Sequence, residues 1–232
     1  MCGDIKMNMQ RRHFVRIALG STAMVSLSGC GLGNLAGMAG GGGGGDWSSI
    51  ANSFRNVLDK AVEGVAATQE SLAMLADALG LKQEAAVMRG EAENIKSKGT
   101  SFAASELEET TNKTADTQSR ITEKLAQAQS LNAQEKAEIG KAMVNYAPAA
   151  VMLALAAVDA ASAIGDASSA GTPSIQDGIE IVNLATEIPS KGPAIIQFAK
   201  LSVQGFKDLR AIAKENDIAV PATDDMPDLG ML

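Results

Sequence analysis

Residues 46–79, DWSSIANSFRNVLDKAVEGVAATQESLAMLADAL, contain the pattern that decides the fold. Their apolar residues recur in alternating steps of three and four positions, with Thr68 filling the single gap. These positions are Ile50, Phe54, Val57, Ala61, Val65, Leu72, Leu75 and Leu79. Steps of this length place side chains on one face of an α-helix, because a helix makes one turn about every 3.6 residues. The pattern therefore predicts an amphipathic helix, roughly 50 Å long, that ends at Gly80.

The rest of the chain to about residue 217 keeps the helical period, and no stretch alternates apolar and polar residues as a half-buried strand would. We expect further helices at residues 82–98, 101–130, 132–164, 173–189 and 194–215, with a flexible segment at 165–171 and a turn at 190–193. Long helices joined by short connections pack antiparallel at about 20°. The sequence therefore predicts an all-α fold, an elongated antiparallel bundle of about five helices over residues 46–217.

Capping residues and prolines set several of these boundaries. Asn132 is followed by Glu135 three positions later, which is the spacing of a capping box. Thr172 precedes Pro173 in the order of an N-cap followed by proline at the first helical position. The run from Ser190 to Pro193 predicts a turn, because proline lacks a backbone N–H and clashes with the preceding helical turn.

The third predicted helix carries a face of mixed polarity. Its face positions are Ala104, Leu107, Thr111, Thr114, Gln118, Ile121, Leu125 and Ala128. Because three of them are Thr or Gln, we interpret the segment as a surface helix with a thin apolar seam. The alternative is a polar seam that faces a water-filled or ligand-bearing groove.

Residues 142–158, AMVNYAPAAVMLALAAV, form the most hydrophobic stretch, and no charge occurs in them before Asp159. Such a stretch is typical of a central helix that is buried on all sides of a bundle, here with a kink at Pro148. Two alternatives stay open. The segment could insert into a membrane, although crossing one needs about 20 residues. Alternatively, Met152, Leu153 and Leu155 contact an apolar ligand or a membrane surface.

The N-terminus has the organisation of an export signal. Arg11, Arg12 and Arg16 form a basic region, and residues 17–27 form an apolar region that is too short to span a bilayer permanently. The residues Leu27-Ser28-Gly29-Cys30 resemble the lipobox of bacterial lipoproteins. The resemblance implies a diacylglyceryl group on the Cys30 thiol, cleavage before Cys30 and acylation of the new amino group.

The predicted signal peptide, residues 1–29, also resembles a twin-arginine export signal. Arg11 and Arg12 are adjacent, Phe14 follows after one residue, and the apolar region is only weakly hydrophobic. The resemblance implies that the domain folds before export, and a general secretory signal that carries two arginines is the alternative. Residue 31, directly after Cys30, is glycine and not aspartate. In enterobacterial lipoproteins, the residue at this position affects the membrane to which the protein is sorted. By resemblance to enterobacterial lipoproteins, Gly31 implies the outer membrane, with the domain facing the periplasm.

The sequence on either side of the predicted bundle is low in complexity. Residues 30–45 end in six consecutive glycines, so we interpret them as the lipidated cysteine and a flexible tether with a reach of roughly 20 Å. Two or three acyl chains on Cys30 would hold the chain stably at a bilayer, whereas one chain binds reversibly. Residues 218–232 are acidic and contain prolines, which predicts a disordered tail.

The composition excludes several kinds of site. The chain has one His and two Cys, and His13 and Cys2 both lie in the signal segment. The remainder therefore lacks the residues for a Ser–His or Cys–His triad, a His/Cys zinc site, an iron–sulfur cluster or a His-ligated haem. A net charge of −7 argues against nucleic acid as a partner, which needs a basic surface. We expect no catalytic residue, metal or cofactor.

These observations predict a non-enzymatic bacterial envelope lipoprotein that serves as a helical scaffold or adaptor for an envelope protein partner. The first alternative is a bundle that binds an apolar ligand such as a lipid. The second is a membrane-active protein that distantly resembles the helical haemolysin class of pore formers, in which Leu153→Asp or Leu155→Asp would abolish vesicle leakage. For a scaffold, we expect both substitutions to unfold the bundle instead, since each would bury an unpaired charge.

Overall fold

The computed structural model describes residues 46–128 and 131–221. Within these two ranges the chain forms five long helices, whose bounds are α1 Trp47–Ala78, α2 Lys82–Lys98, α3 Ala104–Ala126, α4 Ala133–Ala170 and α5 Ile179–Glu215. Short 3₁₀ turns follow α2 at Gly99–Ser101 and precede α5 at Ile175–Asp177. No strand occurs in the described ranges, and the prediction of an all-α bundle of about five helices is confirmed.

The predicted export and lipidation residues lie outside the described part of the chain. This applies to Arg11, Arg12, Phe14 and Cys30, to the tether, and to residues 222–232 of the predicted tail. Their assignments therefore stay predictions.

Helix α1 forms where the apolar pattern predicts it and buries the predicted face. Asp46 caps its start, because a carboxylate oxygen accepts a hydrogen bond from the Ser48 N–H at 3.0 Å. Gly80 ends it with a φ of +75°, a left-handed conformation that glycine adopts without strain. The Leu81 N–H then donates to the Ala76 carbonyl at 2.7 Å and closes the last turn.

Helix α4 is the central helix, because it packs along both α1 and α5, while α2 packs on α1 and α3 packs on α5. At 38 residues it is about 57 Å long. The predicted capping box at its start is confirmed. Asn132 accepts hydrogen bonds from the N–H groups of Gln134 and Glu135, and the Glu135 carboxylate accepts one from the Asn132 N–H at 2.8 Å. Pro148 lies inside this continuous helix.

The predicted turn at residues 190–193 is wrong, because α5 continues through both Pro189 and Pro193. Tertiary contacts hold the helix together here. Lys191 is only 6% exposed, and its ammonium group donates to the Thr100 carbonyl at 3.0 Å and to the Glu187 carboxylate at 2.9 Å. Gly192 sits so close to α4 that an added Cβ would meet Ile164 Cδ1 at 2.8 Å. These buried contacts offset the hydrogen bonds that the prolines remove.

The predicted boundaries between α4 and α5 also differ from the structure. The segment 165–171, predicted to be flexible, is helical up to Ala170, and Gly171 ends the helix with a φ of +75°. Thr172 and Pro173 do not start the next helix, which begins at Ile179 after Gly178. Local propensity is outweighed here by the length over which α4 can pack against its neighbours.

The predicted disordered tail begins too early at residue 218. Ile218 is only 4% exposed, and its N–H donates to the Ala213 carbonyl at 3.0 Å. Pro221 accepts a hydrogen bond from Arg210 Nε at 2.8 Å. The packed domain therefore extends at least to residue 221, because burying Ile218 against α4 near Gly140 compensates for ordering the chain.

Candidate docking face on α4 and a buried polar layer

The three apolar residues singled out from the sequence lie on different sides of α4. Leu153 is fully buried, Met152 is half-buried, and Leu155 is 45% exposed. Leu153 and Leu155 are about 200° apart around the helix axis, since each residue adds about 100°. The structure therefore does not bring Met152, Leu153 and Leu155 together as one site.

Leu153 belongs to the closely packed contact between α4 and α1. Gly64 of α1 faces it, and a Cβ added at Gly64 would lie 2.7 Å from Leu153 Cγ. Glycine is thus required at this position by the close approach of the two helices. The side chain of Leu153 fills the space in the core that Gly64 leaves.

Leu155 belongs instead to an exposed apolar face, which we call the α4 stripe. Its members recur in steps of four and three residues, and they are Val144, Pro148, Val151, Leu155 and Val158. Val144 is 56% exposed and Val158 is 38% exposed. The stripe covers about 21 Å of helix. The prediction that this helix is buried on all sides is therefore wrong, because one face has no covering helix in the described part of the chain.

Charged groups bound the α4 stripe. Lys141 is exposed one turn before Val144. After Val158, the Asp159 carboxylate pairs with Lys60 of α1 at 2.8 Å. Asp159, the first acid after the apolar segment, thus lies at the edge of the helix interface. An apolar face with charged ends has the anatomy of a surface that another apolar surface covers.

A buried polar layer crosses the bundle on the other side of α4. Gln118 Nε2 of α3 donates to the Tyr146 hydroxyl of α4 at 2.7 Å, and that hydroxyl donates to the Ser202 carbonyl of α5 at 3.0 Å. Gln69 Nε2 of α1 donates to Thr114 Oγ1 of α3 at 2.6 Å. The mixed-polarity face of α3 therefore points into the bundle, where Thr114 and Gln118 are buried against other helices and do not face the predicted alternative, an open water-filled or ligand-bearing groove.

Burial fixes the protonation state of the tyrosine in this layer. Desolvation raises the pKa of Tyr146 above its ordinary range, against the smaller opposite effect of the hydrogen bonds with Gln118 and Ser202. The hydroxyl therefore stays neutral and keeps its proton for the Ser202 carbonyl. The Tyr146 ring also meets Phe206 edge-on, with centroids 5.4 Å apart. The layer positions α3 by directional bonds where apolar contacts alone would allow it to slide.

Some polar atoms of this region have no hydrogen-bond partner in the described ranges, namely Thr68 Oγ1, Gln69 Oε1 and Ser202 Oγ. Among the same residues, no three His, Cys, Asp or Glu side chains lie close enough together to hold a metal ion. The arrangement is a structural layer that supplies donors and acceptors to other helices. We therefore place the candidate functional surface at the α4 stripe.

Sequence reasoning identified the apolar segment but missed the stripe. The signal that could have found it is a second apolar row, offset from the buried row that contains Met143, Tyr146, Ala150 and Leu153. An 18-residue window of α4 has a mean hydropathy of 1.8, and 44% of that window is buried. By length and composition alone this helix could cross a membrane, but the core helix of a bundle passes the same test.

No protein-family model matches the chain, and neither a curated protein nor a solved structure matches it significantly. The described part of the chain is thus an all-α helical bundle that leaves an apolar face of α4 uncovered.

Proposed function

We propose that the chain is a lipid-anchored bacterial envelope protein, held at the outer membrane through Cys30, that acts as a non-catalytic adaptor. In this proposal the α4 stripe docks an amphipathic helix of an envelope protein partner. The observation that carries the proposal is the stripe, because three of its members are among the large apolar residues that the described part of the chain leaves exposed. An apolar helix face of this length matches the recognition of a helix through residues spaced three and four apart.

The sequence supplies the anchoring half of the proposal. The lipobox-like residues 27–30 precede a glycine-rich tether, which leads directly into α1. A tether with a reach of roughly 20 Å keeps the bundle near the bilayer and lets it turn toward a partner. An adaptor needs a retained position and a docking surface, and it needs no reacting groups.

A lipid ligand around Met152, Leu153 and Leu155 fits the geometry less well. Leu153 is fully buried against Gly64, so an acyl chain could enter there only if α1 and α4 separated. Separating them would expose the largest interface of α4. A docked helix on the exposed side requires no such change.

Cys30→Ala tests the anchor. We expect the precursor to keep residues 1–29, because signal cleavage follows lipidation of the Cys30 thiol, and we expect the wild-type mature chain to carry acyl chains. Intact mass spectrometry of both proteins measures these changes. A wild-type mature chain without added lipid mass would contradict the lipoprotein assignment.

Replacing Arg11 and Arg12 by lysine should stop export if the twin-arginine route is used.

A photo-crosslinking amino acid at position 155 tests the docking face. We expect one protein adduct in cells from this position, and we expect it to disappear when Val144→Asp places a charge on the stripe. Position 87 of α2 is the matched control, because Val87 is 41% exposed and lies off the stripe. Equal adducts from both positions, or none from position 155, would contradict the proposed docking face. Lipid adducts alone from position 155 would favour a membrane-active protein.

A further inference from the structure

The chain reverses its direction after α5. Helix α5 ends at Glu215, and Asp217 has a φ of +55°, a left-handed conformation that interrupts the helix. The Ile218 side chain is buried, and its N–H donates to the Ala213 carbonyl at 3.0 Å. Residues 218–221 are therefore held against the bundle and lead back along it.

These returning residues lie between α4 and α5. A Cβ added at Gly140 of α4 would lie 2.9 Å from the Ala219 carbonyl oxygen, and the Pro221 carbonyl accepts from Arg210 Nε of α5 at 2.8 Å. Helices α4 and α5 are antiparallel. Moving from the end of α5 back to Arg210 therefore means moving along α4 from Gly140 toward Val144, where the α4 stripe begins. The described chain thus ends while it is heading for the stripe.

The groove that these residues enter is bordered by lysines. Lys200, Lys207 and Lys214 of α5 are exposed and recur in steps of seven positions, and we call them the α5 lysine row. At about 100° per residue they lie about 40–80° around α5 from Arg210, on the side away from Gly205 and α3. The row extends about 21 Å along α5, which is also the length of the α4 stripe.

This groove is basic although the protein as a whole is acidic, with a net charge of −7. Between residues 140 and 158 of α4, Lys141 is the only charged residue. Between residues 195 and 214 of α5, the only acid is Asp208, whose carboxylate accepts from Gln204 Nε2 at 2.7 Å. An apolar stripe beside a row of lysines complements a segment that carries both apolar and acidic side chains.

Residues 222–232, ATDDMPDLGML, have this composition and follow Pro221 directly. Their acids are Asp224, Asp225 and Asp228, and their large apolar residues are Met226, Leu229, Met231 and Leu232. An extended segment of eleven residues reaches about 36 Å, at about 3.3 Å per residue, so it is long enough to cover the 21 Å stripe. A segment this short has no core of its own, and the stripe would supply the apolar surface that it lacks.

We propose that residues 222–232 bind in the groove between the α4 stripe and the α5 lysine row. Their aspartates pair with the lysines, and their apolar side chains lie on the stripe. The segment is then a removable cover that the partner helix must displace in order to dock. As a control of docking, this inference rests on the proposed function. The cover can leave without opening the bundle, so it is consistent with a Leu155→Asp variant that stays folded.

A photo-crosslinking amino acid at position 155 detects the cover in the mature lipidated protein, purified in detergent. We expect an intramolecular crosslink to residues 222–232, which peptide mass spectrometry of the monomer identifies. Position 87 of α2 is the control, because Val87 is 41% exposed and lies off the stripe. The proposal is overturned if this crosslink is absent, or equally strong from position 87. A crosslink that occurs only in a dimer assigns the segment to a second copy, which also overturns an intramolecular cover.

Reversing the three aspartates tests the charge pairing. The triple variant Asp224→Lys, Asp225→Lys, Asp228→Lys should lower the yield of the intramolecular crosslink roughly tenfold, because attraction to the α5 lysine row becomes repulsion. Its melting temperature should stay close to wild type, since the three positions follow the packed domain. An unchanged yield would overturn the pairing of this segment with the lysines.

A second set of reversals separates this pairing from a general effect of charge. Adding Lys207→Glu and Lys214→Glu to the triple variant should restore the crosslink, because opposite charges face each other again. Lys82→Glu and Lys124→Glu are the matched control, since these lysines are exposed on α2 and α3. We expect no restoration from them. Equal restoration by both pairs, or none from the α5 pair, would overturn the proposed position of the segment.

A chain that stops after Pro221 tests the control of docking in cells. We expect its protein adduct from position 155 to increase several-fold, because residues 222–232 no longer compete with the partner helix. An adduct that the truncation leaves unchanged overturns this control, and the proposed function stands. If neither chain gives a protein adduct, the proposed function is contradicted, while the intramolecular crosslink still supports the contact. Lipid adducts alone from the truncated chain would identify a membrane surface as the occupant and contradict the adaptor.

Discussion

Leu153→Asp should unfold the bundle or lower its melting temperature by roughly 10 °C, whereas Leu155→Asp, two residues further on, should leave it folded. Leu153 is fully buried against Gly64, so the new carboxylate would have no partner and no water. Such a change costs roughly 3–5 kcal/mol, a large part of the roughly 5–15 kcal/mol that ordinarily stabilises a domain. For a domain of this size, a loss of about 1 kcal/mol shifts the melting temperature by about 2–4 °C.

Leu155 is 45% exposed, so an aspartate there keeps its hydration and should cost less than about 1 kcal/mol. The expectation that both substitutions unfold the protein is thus corrected for Leu155. Circular dichroism during heating measures the melting temperature of both variants. A Leu155→Asp variant as unstable as Leu153→Asp would show that the α4 stripe is covered within the chain itself.

Gly205→Ala should destabilise the protein, by an amount on the order of 1 kcal/mol, although alanine is the better helix former. Gly205 lies inside α5, and a Cβ there would overlap the side-chain amide of Gln118. The amide would have to leave its hydrogen bond to the buried Tyr146 hydroxyl, which costs about 1–3 kcal/mol. The gain in helix propensity, about 1 kcal/mol, offsets only part of that loss.

The sign of this effect should reverse when Gln118 is removed. A Gln118→Ala background lacks the amide atoms that lie nearest to a Cβ at position 205, so Gly205→Ala should stabilise by roughly 0.5–1 kcal/mol. Urea unfolding of the wild type, both single variants and the double variant measures the coupling. Gly90→Ala is the matched control, because a Cβ there meets nothing within 4 Å. Additive effects of Gly205→Ala and Gln118→Ala would contradict the close packing of these two residues.

The helices that the sequence predicts correctly are those whose information is local. The three-and-four spacing from Ile50 to Leu79 is enough for α1, because each turn repeats the same apolar face. Asn132 and Glu135 mark the start of α4, since a capping box needs residues only three positions apart. The inward positions of α3 were also correct, including the polar ones, since Thr114 is fully buried and Gln118 is 5% exposed.

The predictions from the sequence are wrong where contacts between residues far apart in the chain determine the local structure. Nothing near Pro193 in the sequence indicates that Lys191 will bind the Thr100 carbonyl, 91 residues away. With that contact, α5 stays helical through the predicted turn. A pocket lined by Trp47, Ile164 and Val182 likewise combines the first helix with residues more than 100 positions later. The sequence indicated neither the Lys191 contact nor the pocket, because both form only where separate helices meet.

By itself the sequence determined the all-α class, the start and face of α1, and the residues from which the anchor is proposed. Only the tertiary structure decided which side of α4 is buried. Apolar residues occur on every side of that helix, so its own pattern does not indicate whether Leu153 or Leu155 is buried. Gly64 on α1 leaves the space that the Leu153 side chain fills. Hydrogen bonds with Gln118 of α3 and with the Ser202 carbonyl of α5 hold the Tyr146 side chain inside the bundle. Because these partners come from other helices, packing alone leaves the α4 stripe at the surface.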